Sequence, residues 1–128
     1  MEINNPETVR EVEEAFERYE IALMDNNVTV LDDSFWNNPR TIRYGGAENL
    51  YGYAAIQKFR AARTGGRFTR RIDRLVITTY GKDFATASLH HHPANAPGKV
   101  GRQMQTWVKM PDGWRIVAAH VSTIDDPD

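Results

Sequence analysis

The stretch that decides the fold is Val100-Gly101-Arg102-Gln103-Met104-Gln105-Thr106-Trp107-Val108-Lys109-Met110, then Pro111-Asp112-Gly113, then Trp114-Arg115-Ile116-Val117-Ala118-Ala119-His120-Val121-Ser122. A Pro-Asp-Gly triplet between two long runs of this kind is a hairpin signal. Along the first run Gln103, Gln105 and Trp107 share one face, and Met104, Thr106 and Val108 share the other. Both faces mix polar and apolar groups, so the alternation does not say which is inside. Backwards along the chain, residues 84–92 read as another strand, reached through the loop 93–98. Residues 72–80, rich in β-branched side chains, read as a third, joined to it by the turn Gly81-Lys82-Asp83.

The first half is different in kind. Residues 6–26 read as a helix, with Asn5 as cap and Pro6 in the first turn. Val9, Val12, Phe16, Tyr19 and Leu23 recur at helical spacing and make one apolar stripe, while glutamates cover the other side. A short helix over 28–35, capped by Asn27, is expected next. Asn37-Asn38-Pro39 turns the chain into a strand at 40–44, Gly45-Gly46 breaks it, and 47–50 return. Residues 51–63 read as a third helix with Ile56, Phe59 and Ala62 inward, closed by Gly65-Gly66. Helices followed by hairpin-joined strands predict an α+β fold, an antiparallel sheet with helices on one face, in a single domain over residues 1–128.

Composition narrows the chemistry. The chain is 41% hydrophobic and 26% charged with a net charge of −1. No global field therefore favours nucleic acid or an anionic membrane. Cysteine is absent, which removes disulfides, zinc–thiolate sites and a thiolate nucleophile. No signal peptide or apolar run of membrane length is read, so a cytoplasmic protein is expected. Arg60, Arg63, Arg67, Arg70, Arg71 and Arg74 form a basic run. It reads either as a nucleic-acid surface, which the net charge and the acidic first helix argue against, or as a local field for a small anion.

Several residues can carry chemistry, each with a plainer alternative. Tyr19 lies within the apolar stripe, either as a core tyrosine with a satisfied hydroxyl or as a phenol aimed into a pocket. Arg43 can grip a carboxylate with two parallel bonds, or reach solvent or pair with Glu48. Gln103 and Gln105 suit the N–H and C=O groups of a urea, or belong to a surface or dimer face. His120 is expected on one face with Trp114, Ile116, Ala118 and Ser122, as a core histidine or a proton relay; no acidic third member makes Ser122 a nucleophile. His90 and His92 share a face with His91 opposite; no third ligand is evident, and no metal is expected.

The segments Ala15-Phe16-Glu17-Arg18-Tyr19, Arg43-Tyr44-Gly45, Glu48-Asn49-Leu50-Tyr51-Gly52-Tyr53, Gly101-Arg102-Gln103-Met104-Gln105-Thr106-Trp107 and Gly113-Trp114-Arg115-Ile116-Val117-Ala118-Ala119-His120-Val121-Ser122 together resemble the AtzH-like branch of the SnoaL-like, nuclear transport factor 2-like superfamily. The resemblance covers nearly the whole chain. It implies a cone-shaped curved sheet with helices on its concave face, a small pocket between them, and a homodimer. It further implies hydrolysis of a carboxylated urea, 1,3-dicarboxyurea to allophanate, in nitrogen-compound catabolism, with no cofactor and a link to a neighbouring amidase. Tyr19 and Arg43 match the active tyrosine and arginine of that branch. Tyr53, His91, Gln103, Gln105, Trp107 and His120 are the expected substrate contacts. The competing class is a non-catalytic dimeric module that assembles with a partner amidase; a proton-transfer isomerase would want a pocket base, for which only Asp33, Glu48 and His120 offer themselves.

Overall fold

The computed structural model describes residues 1–63 and 65–128. Helix α1 (Pro6–Asp25) starts as its sequence demands: the Asn5 side chain accepts from the Thr8 amide at 3.1 Å, and Pro6 occupies the first turn. It ends on Asn26 in the left-handed conformation. Asn27 then caps α2 (Val28–Asp33) by accepting from the Val30 amide at 3.2 Å. The short strands β1 (Ile42–Tyr44) and β2 (Asn49–Tyr51) form a hairpin, and α3 (Tyr53–Ala62) follows. Four long strands complete the chain: β3 (Arg70–Tyr80), β4 (Phe84–Pro93), β5 (Lys99–Met110) and β6 (Gly113–Asp125). No helix among the described residues is long and apolar enough to cross a membrane.

The six strands lie in the order β2-β1-β6-β5-β4-β3. The expected antiparallel sheet is in fact mixed, because β1 runs parallel to β6, with Arg43 beside Ala119. The helices cover one face. There Val12, Phe16, Tyr19 and Ala22 of α1, Leu31 of α2 and Ile56 of α3 meet Trp107, Ile116, Ala119, Ala87 and Leu89 of the sheet. The alanines on this floor leave room for larger groups above them. Phe59 packs against this core, as expected, but Ala62 is exposed; the buried partner of Ile56 one turn on is Arg60.

One irregularity changes the reading of β6. Trp107 pairs with Ile116 while Thr106 pairs with Ala118, so Val117 is an extra residue, a β-bulge. Trp114 and Ile116 face the helices, and beyond the bulge Ala119 does too. His120 is therefore turned outward, where it is exposed and packs edge-on against Tyr44 at 5.8 Å. The expected face shared by Trp114, Ile116, Ala118, His120 and Ser122 does not exist.

Candidate functional site

The inner face of β5 decides what the helices cover. Gln103, Gln105 and Trp107 are inside, and Met104 is 62% exposed on the outer face. Trp107 meets Tyr19 edge-on at 6.4 Å, and Tyr19 meets Phe35 edge-on at 6.3 Å. The Tyr19 side chain is thus held by two aromatic neighbours, with the residue only 4% exposed. Its hydroxyl forms no hydrogen bond among the described residues.

The glutamines are polarised in one sense. The Trp107 indole N–H donates to Gln105 Oε1 at 3.0 Å, and the Arg70 guanidinium donates to Gln103 Oε1 at 3.2 Å. Both partners are pure donors, so each amide must turn its oxygen toward them. Both amide nitrogens, Gln103 Nε2 and Gln105 Nε2, are left buried without an acceptor. An unmet buried donor costs about 1–3 kcal/mol, so each amide nitrogen marks a place where an acceptor, whether a water or a ligand oxygen, is stabilised.

Arg43 points to the same side. It pairs across β6 with Ala119, which pairs in turn with Gln105. Arg43 and Gln105 therefore share a row two strands apart, about 10 Å, over the small Ala119 side chain. Arg43 Nη1 donates to Glu48 Oε1 at 2.8 Å, and its guanidinium lies 5.9 Å from the Phe59 ring centre. Gly45 makes the pairing feasible: a Cβ there would sit 1.8 Å from Glu48 Oε1. The Arg43-Tyr44-Gly45 and Glu48 segments thus work as a unit, in which the glycine gives the carboxylate space to reach the guanidinium.

Arg60 adds a second guanidinium. It is 4% exposed, lies 5.4 Å from the centre of the Phe35 ring, and has Asp32 Oδ1 3.2 Å from its Nε. That approach lies off the hydrogen-bonding axis, so Arg60 Nε and Asp32 Oδ1 form an ion pair without a proper hydrogen bond. Burial lowers the Arg60 pKa and the nearby Arg43 charge lowers it further, while Tyr19 and Asp32 act in the opposite sense. Burial likewise raises the Asp32 carboxyl above its ordinary range, against the opposing pull of Arg60. Arg60 thus lies within electrostatic reach of both Tyr19 and Arg43.

At the other end of the floor, Arg70 is buried against Glu20, an ion pair that also carries the bond to Gln103. His91 faces inward beside it, its ring in the space over Gly101, where a Cβ would come within 1.9 Å of Nε2. Neither ring nitrogen has a hydrogen-bond partner among the described residues. Burial, with the Arg70 charge second, lowers its pKa to about 4, so the imidazole is neutral at pH 7.

The structure thus brings Tyr19, Arg43, Gln103, Gln105, Trp107 and His91 to the inner face of the sheet and leaves two expected contacts elsewhere. His120 is on the outer face. Tyr53 is half-buried beside Asp32 and Gln57 in a shallow surface depression, and burial, then Asp32, raises its pKa. Glu48 is held by Arg43, and Asp33 lies at the surface near Arg18. The basic run is divided: Arg60 and Arg70 turn inward, whereas Arg67 meets Asp25 at 3.6 Å and Arg71 meets Asp73 at 3.1 Å. His90 and His92 face outward, and His92 Nε2 is bonded to Asp73 at 3.2 Å. Asp32, Arg60, Glu20 and Arg70 were not singled out as site residues by the sequence. The signal for Arg60 was its spacing of four from Ile56, within the apolar stripe of α3.

Sheet, helices and covered polar floor define a nuclear transport factor 2-like protein. Such a fold is shared with a superfamily protein from Salmonella enterica serovar Typhimurium (TM-score 0.75, 24% identity, 95% of this chain and 94% of that one). The family model described as AtzH-like matches residues 1–127, and the chain belongs to that family. A protein of unknown function from Pectobacterium atrosepticum is 51% identical over 96% of this chain and 95% of its own, with a TM-score of 0.92. A cystatin-like fold protein from Burkholderia xenovorans is 45% identical over 99% of both chains, with a TM-score of 0.94. No curated protein matches the chain significantly.

Proposed function

We propose that the covered floor binds a small carboxylated urea and removes one carboxylate from it, converting 1,3-dicarboxyurea to allophanate. The observation that carries this reading is the set of donors with capacity left over: the buried amide nitrogens of Gln103 and Gln105, which have no acceptor among the described residues, Arg60 Nε, which has only a misaligned one, and Arg43, of which Glu48 takes Nη1 alone. A planar dianion rich in carbonyl oxygens is the complement of that set. Arg43 holds one carboxylate, and Gln105 donates to the central carbonyl. The bond between nitrogen and the departing carboxylate carbon breaks, carbon dioxide leaves, and the electron pair stays on nitrogen. Tyr19 supplies the proton that nitrogen takes up and regains one from water. The sum is dicarboxyurea dianion plus one proton giving allophanate plus carbon dioxide. This course needs an acid and no nucleophile, which suits a site without cysteine.

Turnover of synthetic or enzymatically generated 1,3-dicarboxyurea tests the reading. Tyr19→Phe and Arg43→Ala are each expected to lower kcat/KM by about 10²-fold, the usual effect of losing one donor to developing charge. Folded variants that keep the wild-type rate would overturn the assigned roles. One feature favours the competing reading of a binding module beside a partner amidase: each inward carboxylate already faces an arginine, Asp32 with Arg60, Glu48 with Arg43 and Glu20 with Arg70. Co-purification with an amidase, without turnover of any carboxylated urea, would decide for it. A homodimer belongs to either reading; the exposed Tyr51, Val76 and Met104 on the outer face support it, and sedimentation tests it.

A further inference from the structure

We propose that Arg60 is a second carboxylate-binding group of this site, so that the interior selects a dicarboxylate held between Arg60 and Arg43. The inference rests on the reading that a carboxylated ligand enters this floor, and it adds the group that would read the second carboxylate. Three observations carry it.

The first is the bonding of Arg60. A guanidinium has five N–H donors in a planar fork, and a buried one ordinarily has them met. Here the residue is 4% exposed, its buried Nε has only the misaligned Asp32 oxygen, and its terminal nitrogens, which make no hydrogen bond among the described residues, are not sealed in with it and so are within reach of a ligand. Burying Nε without a well-aligned acceptor is unfavourable, so the fold keeps this donor open at a cost. The second is its placement. Arg60 lies against the Phe35 ring, and Phe35 in turn meets Tyr19, the phenol proposed to give the proton. A carboxylate on Arg60 is thus next to the aromatic group that frames the Tyr19 ring. The third is the state of Arg43. Glu48 occupies its Nη1 only, leaving Nη2 and Nε for a ligand. Two guanidiniums, each with one resident carboxylate and open donors, make a two-pronged site. A monocarboxylate fills one prong and leaves the other unmet.

Selectivity between glutarate and butyrate isolates the claim. Glutarate carries two carboxylates separated by three atoms, as in dicarboxyurea, and butyrate carries one. With the wild-type protein, calorimetry is expected to give glutarate at least 10-fold tighter binding. Arg60→Gln is expected to bring glutarate to within about 2-fold of butyrate. Arg60→Lys keeps a charge opposite Asp32 but loses the planar fork, and is expected to lose most of the preference too. If removing Arg60's partnering of Asp32 unfolds the single variant, Arg60→Gln with Asp32→Asn removes both charges and serves the same comparison. Wild-type protein without a glutarate preference, or a folded Arg60 variant that retains it, overturns the proposal. Turnover of dicarboxyurea is measured in parallel. Absent turnover with an Arg60-dependent preference sinks the catalytic reading and leaves this one standing. Turnover with a preference indifferent to Arg60 does the reverse.

Discussion

Lowering the pH is the perturbation that most directly interrogates the covered floor, because His91 sits there neutral and unpartnered. Its folded pKa of about 4 lies below the 6.5 of an ordinary histidine. Between these values the unfolded chain binds a proton that the folded chain refuses, so stability falls as pH falls through that window and is fully present above it. For these two pKa values the loss between pH 7.5 and pH 5 is about 2 kcal/mol. Solvent reaching one side of the half-buried ring reduces this to roughly 1 kcal/mol. With a urea slope of about 1–2 kcal/mol/M, the midpoint should move down by about 0.5–1 M. Urea unfolding of wild type and His91→Gln at pH 7.5, 6 and 5 provides the comparison, since every other titrating group is common to both. The variant should lose the His91 contribution to the slope. Parallel dependences in the two proteins would mean that His91 is not desolvated, and with it the claim of a covered floor at that end would go.

Other consequences follow from single contacts. Glu20→Ala leaves Arg70 buried without its carboxylate and should cost about 3–5 kcal/mol in urea unfolding, the usual penalty for halving a buried pair. Gly45→Ala puts a methyl where Glu48 Oε1 lies; the carboxylate is at the end of a flexible side chain, so stability should change by about 1 kcal/mol or less while turnover drops as Arg43 loses its hold. Gly101→Ala meets the buried His91 ring instead, and should destabilise by about 1–3 kcal/mol by thermal melting. Tyr19→Phe removes a hydroxyl with no hydrogen bond among the described residues, so its unfolding free energy should stay within about 0.5 kcal/mol of wild type, while the proposed turnover falls.

The parts of the fold that were legible in the sequence are those set by neighbours along the chain. The α1 stripe, the Asn5 and Asn27 caps and the two long hairpins depend on spacing and turn chemistry within a few residues, and each is present. What was illegible depends on distant partners. No local pattern announces that β1 lies parallel to β6, and a bulge at Val117 leaves the alternation of residue types looking intact while it reverses the faces. That is why His120 read as an interior group. Of the expected site, the spacing put Tyr19 in the apolar stripe of α1 and Trp107 in line with Gln103 and Gln105, while a role for Tyr19 with Arg43 came from the family resemblance. Arg60 was hidden because a lone arginine in a basic run reads as solvated, and only its register with Ile56 argued otherwise.

The parallel pairing of β1 with β6 also fixes the order in which the interior can be put together. Arg43 comes early in the chain, yet the strand beside it follows all the other elements described. Tyr19 can find its helix early, and the β3–β4 hairpin can form as soon as it is made, but the row of Arg43, Ala119 and Gln105 exists only once β6 has inserted between β1 and β5. Closing so long a loop is slow compared with making a hairpin. Until it closes, a nascent chain carries its arginine on an unsupported two-stranded hairpin. This row is in that sense among the last parts of the interior to form, and any break that detaches β6 would remove it first.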